Sequence, residues 1–389
     1  MRALHLLLAV MLLAAAASHS AAKDEAKPEP RKTSKADQRK LDKERKELLK
    51  ARDQRAKTNA KANAALGKKL EALMEGWKDK GFSGAILVAK DGQPLIKKGY
   101  GMADREAKRA NAPDTLYDIG SVTKLFTAAG VLRLEQDGKL RLSDTLGRFF
   151  SFAPADKKEI TVEQLLSHTS GLSRMYEDQH IDVLSRDKTV KGLLSIPLSA
   201  KPGERFEYSN TNYYLAGAII EVVSGESYES YMQRQILEPA GMKDSAFCSS
   251  ERLDDKRSAM RYEDNQNRGS VSDWPFTWGQ RGCGYLVSTV EDMWRFSEAV
   301  DFGDFLDAQA KQHWFKVRQD DYALGWLCKE VEGLRMQYHG GAAPGARAYL
   351  ARFPDKDAMY VFFFNVSEQG KAPEFQLAAD IEALLRTAE

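Results

Sequence analysis

Apolar residues Leu66, Leu70, Leu73, Met74 and Trp77 recur at the i, i+4, i+7, i+8, i+11 spacing of one helix face, and Gly81 ends that run. Order therefore begins near Ala64. Residues 83–90 (SGAILVAK) read as a strand, Asp91-Gly92 as a hairpin turn and residues 94–101 as its partner. Near the other end, residues 335–338, 349–353 and 359–366 are strand-like, the last two flanking a Pro354-Asp355-Lys356-Asp357 turn. A final helix is predicted with Phe375, Ala378, Ile381, Leu384 and Leu385 on one face. The stretch between, roughly 120–320, reads as mostly helical, with helices over 124–135 and 213–223. Strands and helices at both ends around a helical middle predict an α+β (mixed α/β) fold. In it, a central antiparallel sheet is closed by the first and last segments and flanked by N- and C-terminal helices, with the helical region inserted. One domain over 64–389 accounts for all of it, and no internal repeat is present.

What precedes that domain differs in kind. Arg2, the apolar stretch from Leu4 to Ala17 and the small residues Ser20-Ala21-Ala22 have the layout of a cleaved export signal, residues 1–22. The apolar stretch is short for a membrane span and no second one follows, so no transmembrane anchor is expected after cleavage. The expected location is periplasmic or extracellular. Residues 23–63 form a basic arm. Over 23–69, seventeen Lys/Arg face eight Asp/Glu, a net +9, which with Arg2 leaves residues 70–389 at −8 within a chain total of +2. The arm suits an anionic surface such as wall polymer (peptidoglycan) or lipid headgroups, or the acidic body itself. Its Leu41, Leu48 and Leu49 are too sparse for a coiled-coil seam, so a mostly disordered or transiently helical spacer is expected. Neither composition nor motif points to nucleic acid.

Cys248, Cys283 and Cys328 are too few for a disulfide framework, though one pair such as Cys248–Cys328 could form. No Cys-x-x-Cys or His-Glu-x-x-His occurs, and the histidines beyond the signal are His168, His180, His313 and His339. No metal and no cofactor are expected. Gly-x-Ser-x-Gly is missing, which removes an α/β-hydrolase, and so are the P-loop and Gly-x-Gly-x-x-Gly.

Three short patterns in chain order carry the chemistry. Ser121-Val-Thr-Lys124 puts a lysine one helical turn from a serine. A serine hydroxyl attacks well only when something takes its proton, and a lysine sheltered from water near positive or dipolar groups can do so. The spacing itself is cheap: Ser20–Lys23 and Ser185–Lys188 repeat it, and Ser185 reads as a helix N-cap. Tyr208-Ser-Asn210 follows the turn-rich Lys201-Pro-Gly-Glu-Arg-Phe-Glu207 and precedes an apolar helix. There Tyr208 can pass protons to serine and leaving group, and Asn210 can hold both Lys124 and a substrate carbonyl. His339-Gly340-Gly341 follows a strand-like run. Its glycines permit close backbone approach, and the Ala342 N–H can join that of Ser121 as an oxyanion donor. Two roles stay open for His339: contact with a substrate carboxylate, or tuning of Tyr208.

Over roughly residues 70–389 the chain resembles the class C β-lactamase and D,D-peptidase-like serine hydrolases, a family that also holds esterases and D-aminopeptidases. The residues that carry the likeness are Tyr117-Asp-Ile-Gly-Ser-Val-Thr-Lys124, Thr161-Val-Glu-Gln-Leu-Leu-Ser-His-Thr-Ser-Gly-Leu172, Gly284-Tyr-Leu-Val-Ser-Thr289 with Asp292, and His339 to Gly345. The resemblance implies a β-lactamase/transpeptidase-like fold, with Ser121 as nucleophile, Lys124 as activator and Tyr208 as proton shuttle. It further implies the Ser121 and Ala342 amides as oxyanion hole, substrate contacts at Gly340, Gly341 and Tyr285, and a structural His168. Lys124 and Tyr208 are best read as one coupled pair. Two departures matter. Class C β-lactamases have Lys-Thr-Gly where this chain has His339-Gly-Gly341, so the hydroxyl that contacts a substrate carboxylate is missing at Gly340. Tyr285 stands where a glycine is common and is expected to narrow the cleft. The first shifts the expectation from efficient β-lactam hydrolysis toward D,D- or D-amino peptides or esters. A catalytically silent, penicillin-binding-like relative that holds wall peptide or a partner is the alternative.

Overall fold

The computed structural model describes residues 30–31, 34–174, 185–273 and 277–387. Residues 1–22, expected as an export signal, and His180 lie outside the described residues.

Six antiparallel strands form the central sheet: β1 (Gly84–Lys90), β2 (Gln93–Tyr100), β3 (Leu327–Val331), β4 (Leu334–Ala343), β5 (Ala346–Phe353) and β6 (Ala358–Phe364), in the spatial order β3-β4-β5-β6-β1-β2. The first and last strands meet at its centre, Ile86 opposite Phe362. Side chains alternate across a strand, and here both faces are covered. Ala85, Leu87 and Ala89 of β1, with Met359, Val361 and Phe363 of β6, enter the larger core with the helical region. Ile86, Val88, Tyr360 and Phe362 enter the smaller one, with Leu66, Leu70, Met74 and Trp77 of the Ala60–Asp79 helix and Leu377, Ala378, Ile381 and Leu385 of the Pro373–Thr387 helix. Those two helices are pinned to each other by Trp77 Nε1–H donating to Asp380 Oδ2 at 2.9 Å. Burial on both faces explains why the central strands read as nearly continuous apolar runs.

Two expectations change. Phe375 is 59% exposed. At 100° per residue the buried stripe of the last helix runs through Glu374, Leu377, Ala378, Ile381 and Leu385 and leaves Phe375 at its edge. The arm, expected as a disordered or transiently helical spacer, holds a helix over Lys35–Thr58, N-capped by Ser34, whose hydroxyl oxygen accepts from Asp37 N at 3.1 Å. Its leucines do not fix it: Leu41 and Leu48 are exposed. Arginines do. Arg52 is buried and donates to both Glu298 oxygens, and Arg55 Nη2 donates to Asp357 at 2.7 Å. The arm thus touches the acidic body, one of the partners expected for it.

Within the inserted region, Tyr117–Asp118 pairs antiparallel with Leu286–Ser288, and a 3₁₀ turn over Gly120–Val122 leads into the Thr123–Gln136 helix. Val122, Leu125 and Phe126 of that turn and helix share the larger core with β1 and β6. This seats the start of the helix against the end of β4.

Candidate active site

Close backbone contact between the serine turn and β4 builds the site. Gly120 has φ +50°, and its N–H donates to Asp118 Oδ1 at 2.8 Å. A Cβ on Gly120 would lie 2.8 Å from Ala342 N, and one on Gly341 would lie 2.0 Å from Ile119 O and 3.2 Å from Ser121 N. Only glycine fits at either place. Those two absent side chains bring the Ser121 and Ala342 amides together. β3 pairs with β4 no further than Tyr338, so β4 from His339 onward runs past the end of its neighbour along the serine turn.

Gly341→Ala is accordingly expected to slow acylation by about a hundredfold, the scale set by an ångström-sized misplacement of reacting groups. The check is the rate of fluorophosphonate labelling; wild-type labelling would show that the contact is not needed. Gly340→Ala, whose methyl would meet nothing nearer than 3.7 Å, should keep the wild-type melting temperature.

Lys124 is fully buried. Its Nζ lies 2.9 Å from Ser121 Oγ, 2.7 Å from Asn210 Oδ1 and 3.5 Å from the Cys283 carbonyl oxygen. Asn210 opens the Asn210–Ser224 helix, which packs beside the lysine's own helix. The Lys124 ammonium lies over the Tyr208 ring, 5.0 Å from its centroid, and the Arg174 guanidinium lies over the same ring at 5.6 Å. The described contacts thus put Lys124, rather than Tyr208, in hydrogen-bond contact with Ser121.

His339 is buried, its ring 6.3 Å from that of Tyr208. Nδ1–H donates to Gly340 O at 2.6 Å, which leaves Nε2 to accept from Tyr322 O–H at 3.3 Å. Burial first, then the Lys124 charge, press its pKa down to about 3. A neutral ring offers a carboxylate no ion pair. Of the two roles left open for His339, a neutral ring 6.3 Å from that of Tyr208 fits tuning of Tyr208 better than contact with a carboxylate.

Ser121, Lys124, Tyr208, Asn210, His339, Gly341 and Ala342 therefore converge, with Gly340 beside them. Tyr285 departs from the expectation of a cleft-lining residue. It is 5% exposed at φ +68°, and burial pushes its phenol up to about 12. A tyrosine is strained in this left-handed region, in keeping with the glycine expected there, and its buried ring offers substrate little surface. All three cysteines are free thiols. Sequence reasoning missed the Cys283 carbonyl, which no side-chain motif could reveal. It also missed Asp118 and Tyr322; the former sits inside the quoted serine segment, while the latter carries no local signal.

A serine beside a buried lysine, with a tyrosine and an asparagine at the edge of an antiparallel sheet, marks a serine hydrolase of the β-lactamase and penicillin-binding-protein type. The chain belongs to the Beta-lactamase family, which it matches over residues 66–384. It is 30% identical over 349 residues to penicillin-binding protein 4* of Bacillus subtilis, covering 83% of this chain and 75% of that one. It is 28% identical to protein flp of Staphylococcus aureus, covering 73% of this chain and 60% of flp. Among solved structures it resembles the octameric penicillin-binding protein homologue from Pyrococcus abyssi, with TM-score 0.71 and 29% identity over 82% of this chain and 77% of that one. The D-amino acid amidase of Ochrobactrum anthropi SV3 shares the fold at TM-score 0.71 and 22% identity, over 85% and 99% of the two chains.

Proposed function

We propose that the protein is an exported serine hydrolase that cleaves a D-amino or D,D-type peptide, or an ester, through a covalent acyl-enzyme, with weak or no turnover of β-lactams. The observation that carries this reading is the environment of Lys124. Once its ammonium has given up a proton, the amine keeps two N–H groups and one lone pair. With the N–H groups on the Asn210 and Cys283 carbonyls, the lone pair is left facing Ser121 Oγ at 2.9 Å. Ser121 Oγ attacks the substrate carbonyl and its proton passes to Lys124 Nζ. The carbonyl oxygen, now an anion, takes hydrogen bonds from the Ser121 and Ala342 amides. As the intermediate collapses, the leaving atom departs with the phenolic proton of Tyr208, which the Lys124 ammonium replaces. Water then attacks the ester of Ser121 and gives its proton to the lysine–tyrosine pair, and Ser121 Oγ recovers one as the acyl group leaves.

The edge of β4 past the end of β3 suits an extended, peptide-like acyl group that adds as a strand. The bare Gly340 and the neutral His339 supply neither hydroxyl nor cation for a β-lactam carboxylate, which supports the weak-turnover part. For export, the support is the signal-like residues 1–22, and no helix among the described residues is long and apolar enough to cross a membrane. The lysines of the arm helix that face solvent suit anionic wall polymer such as peptidoglycan.

The test is a turnover panel of p-nitrophenyl esters, a D-Ala-D-Ala peptide and a chromogenic cephalosporin, each with Ser121→Ala as blank. Serine-dependent hydrolysis of an ester or the peptide, with the cephalosporin slowest, is expected. A cephalosporin turned over fastest would overturn the choice of substrate.

A further inference from the structure

Against the ring of Tyr208 a second histidine is fully buried. His168 follows the short Val162–Leu166 helix and sits at φ +57°, a conformation that histidine enters more readily than most side chains but still seldom. Bent this way, one residue grips the neighbouring loop at three points. Its backbone carbonyl accepts from Glu207 N at 2.8 Å. Its Nδ1 accepts from Ser209 N at 3.2 Å and from Asn212 Nδ2 at 3.0 Å. Its ring lies against that of Tyr208, centroids 4.4 Å apart. The two backbone N–H groups it holds, at 207 and 209, bracket Tyr208.

The chemistry of the ring follows from those partners. Two N–H donors on Nδ1 require it to be unprotonated, and burial together with the Lys124 charge keeps the ring neutral. The proton therefore sits on Nε2, which among the described residues has no hydrogen-bond partner. The His168 ring packs against those of Tyr213, Tyr322 and Phe206, centroid to centroid at 5.2, 4.9 and 5.9 Å. A buried donor left unpaired is costly. A residue serving packing alone would fill this place without that cost, so the feature that distinguishes histidine here is the Nδ1 acceptor.

We infer that His168 is a positioning residue for the reaction: its carbonyl and Nδ1 fix the backbone on both sides of Tyr208, and its ring fixes the phenol's plane, so that the hydroxyl can reach the leaving group. The inference rests on the proposed role of Tyr208 as proton donor to the leaving atom.

His168→Asn keeps an acceptor near the place of Nδ1 and tolerates a positive φ. His168→Leu fills the space without an acceptor; should it not fold, His168→Gly removes the acceptor without backbone strain. The readout is kcat/KM on the phenyl and p-nitrophenyl esters of one acyl group. The phenolate leaving group needs a proton and the nitrophenolate scarcely does. Loss of the acceptor should cost about thirtyfold on the phenyl ester and about threefold on the nitrophenyl ester, a fraction of a full general-acid contribution, mostly in kcat. Tyr208→Phe should show the same tilt more strongly, and His168→Asn should stay near wild type on both esters. Equal losses on the two esters would reduce His168 to a packing residue, and an Asn variant as impaired as Leu would remove the acceptor from the argument. Ester hydrolysis that survives Ser121→Ala would instead sink the underlying reaction, an outcome the blank reports separately.

Discussion

Ser121→Ala should abolish covalent capture of the protein by a fluorophosphonate or a fluorescent penicillin and lower ester turnover by at least about a thousandfold. The substitution removes one oxygen, the atom 2.9 Å from Lys124 Nζ, and leaves the Ser121 amide in place. The turn does not depend on that oxygen, because Gly120 N–H on Asp118 and the approach of β4 shape it. The melting temperature should therefore hold within a few degrees while labelling disappears, a dissociation of chemistry from fold that intact-mass spectrometry can record directly. Among the described residues, spacing offers no second serine that could stand in. Ser185 precedes Lys188 by the same interval, yet it is the N-cap residue of the Arg186–Ser195 helix and Lys188 is exposed. An adduct that persists on the alanine variant would mean that the nucleophile lies elsewhere.

That comparison of two Ser-x-x-Lys pairs also shows what a sequence can and cannot carry. Local pattern was enough for β1, β2, β5, β6 and both sheet-covering helices: each helix buries a stripe at its own repeat, and β1 and β6 are short apolar runs, buried on both faces, that turn residues punctuate. The end of β4 was legible through Gly341, since a glycine pair after a strand signals close approach. Burial of Lys124 was not legible: it depends on Asn210 and Cys283, 86 and 159 residues away in the chain. His168 illustrates the same limit. Its segment was recognisable and its φ was not, and the left-handed turn is what converts a buried histidine into a clamp on Tyr208. For the arm the rule inverts. Its helix lacks an apolar stripe, so periodicity says nothing, and arginines reaching Glu298 and Asp357 hold it to the body.

Lys124→Ala carries the second large effect, and it separates the two candidate bases. If the lysine amine takes the serine's proton, its loss should slow acylation by at least about a hundredfold. Because attack precedes departure of any leaving group, the phenyl and p-nitrophenyl esters should suffer alike. Tyr208→Phe, by contrast, should spare the nitrophenyl ester relative to the phenyl ester. Stability moves for a different reason. Truncation removes the N–H groups that Asn210 Oδ1 and the Cys283 carbonyl accept from Lys124, at about 0.5–1.5 kcal/mol per lost hydrogen bond, while the desolvation of the buried amine is relieved. Lys124→Met, closer in volume, should lose as much activity as alanine with a smaller drop in melting temperature. Single-turnover acylation read against thermal unfolding tests both halves. Alanine and methionine variants that acylate at the wild-type rate would transfer the proton to Tyr208 and leave Lys124 as a buried charge that only orients its neighbours. Equal activity losses, with only the melting temperatures differing, would assign the rate to the amine itself rather than to the packing around it.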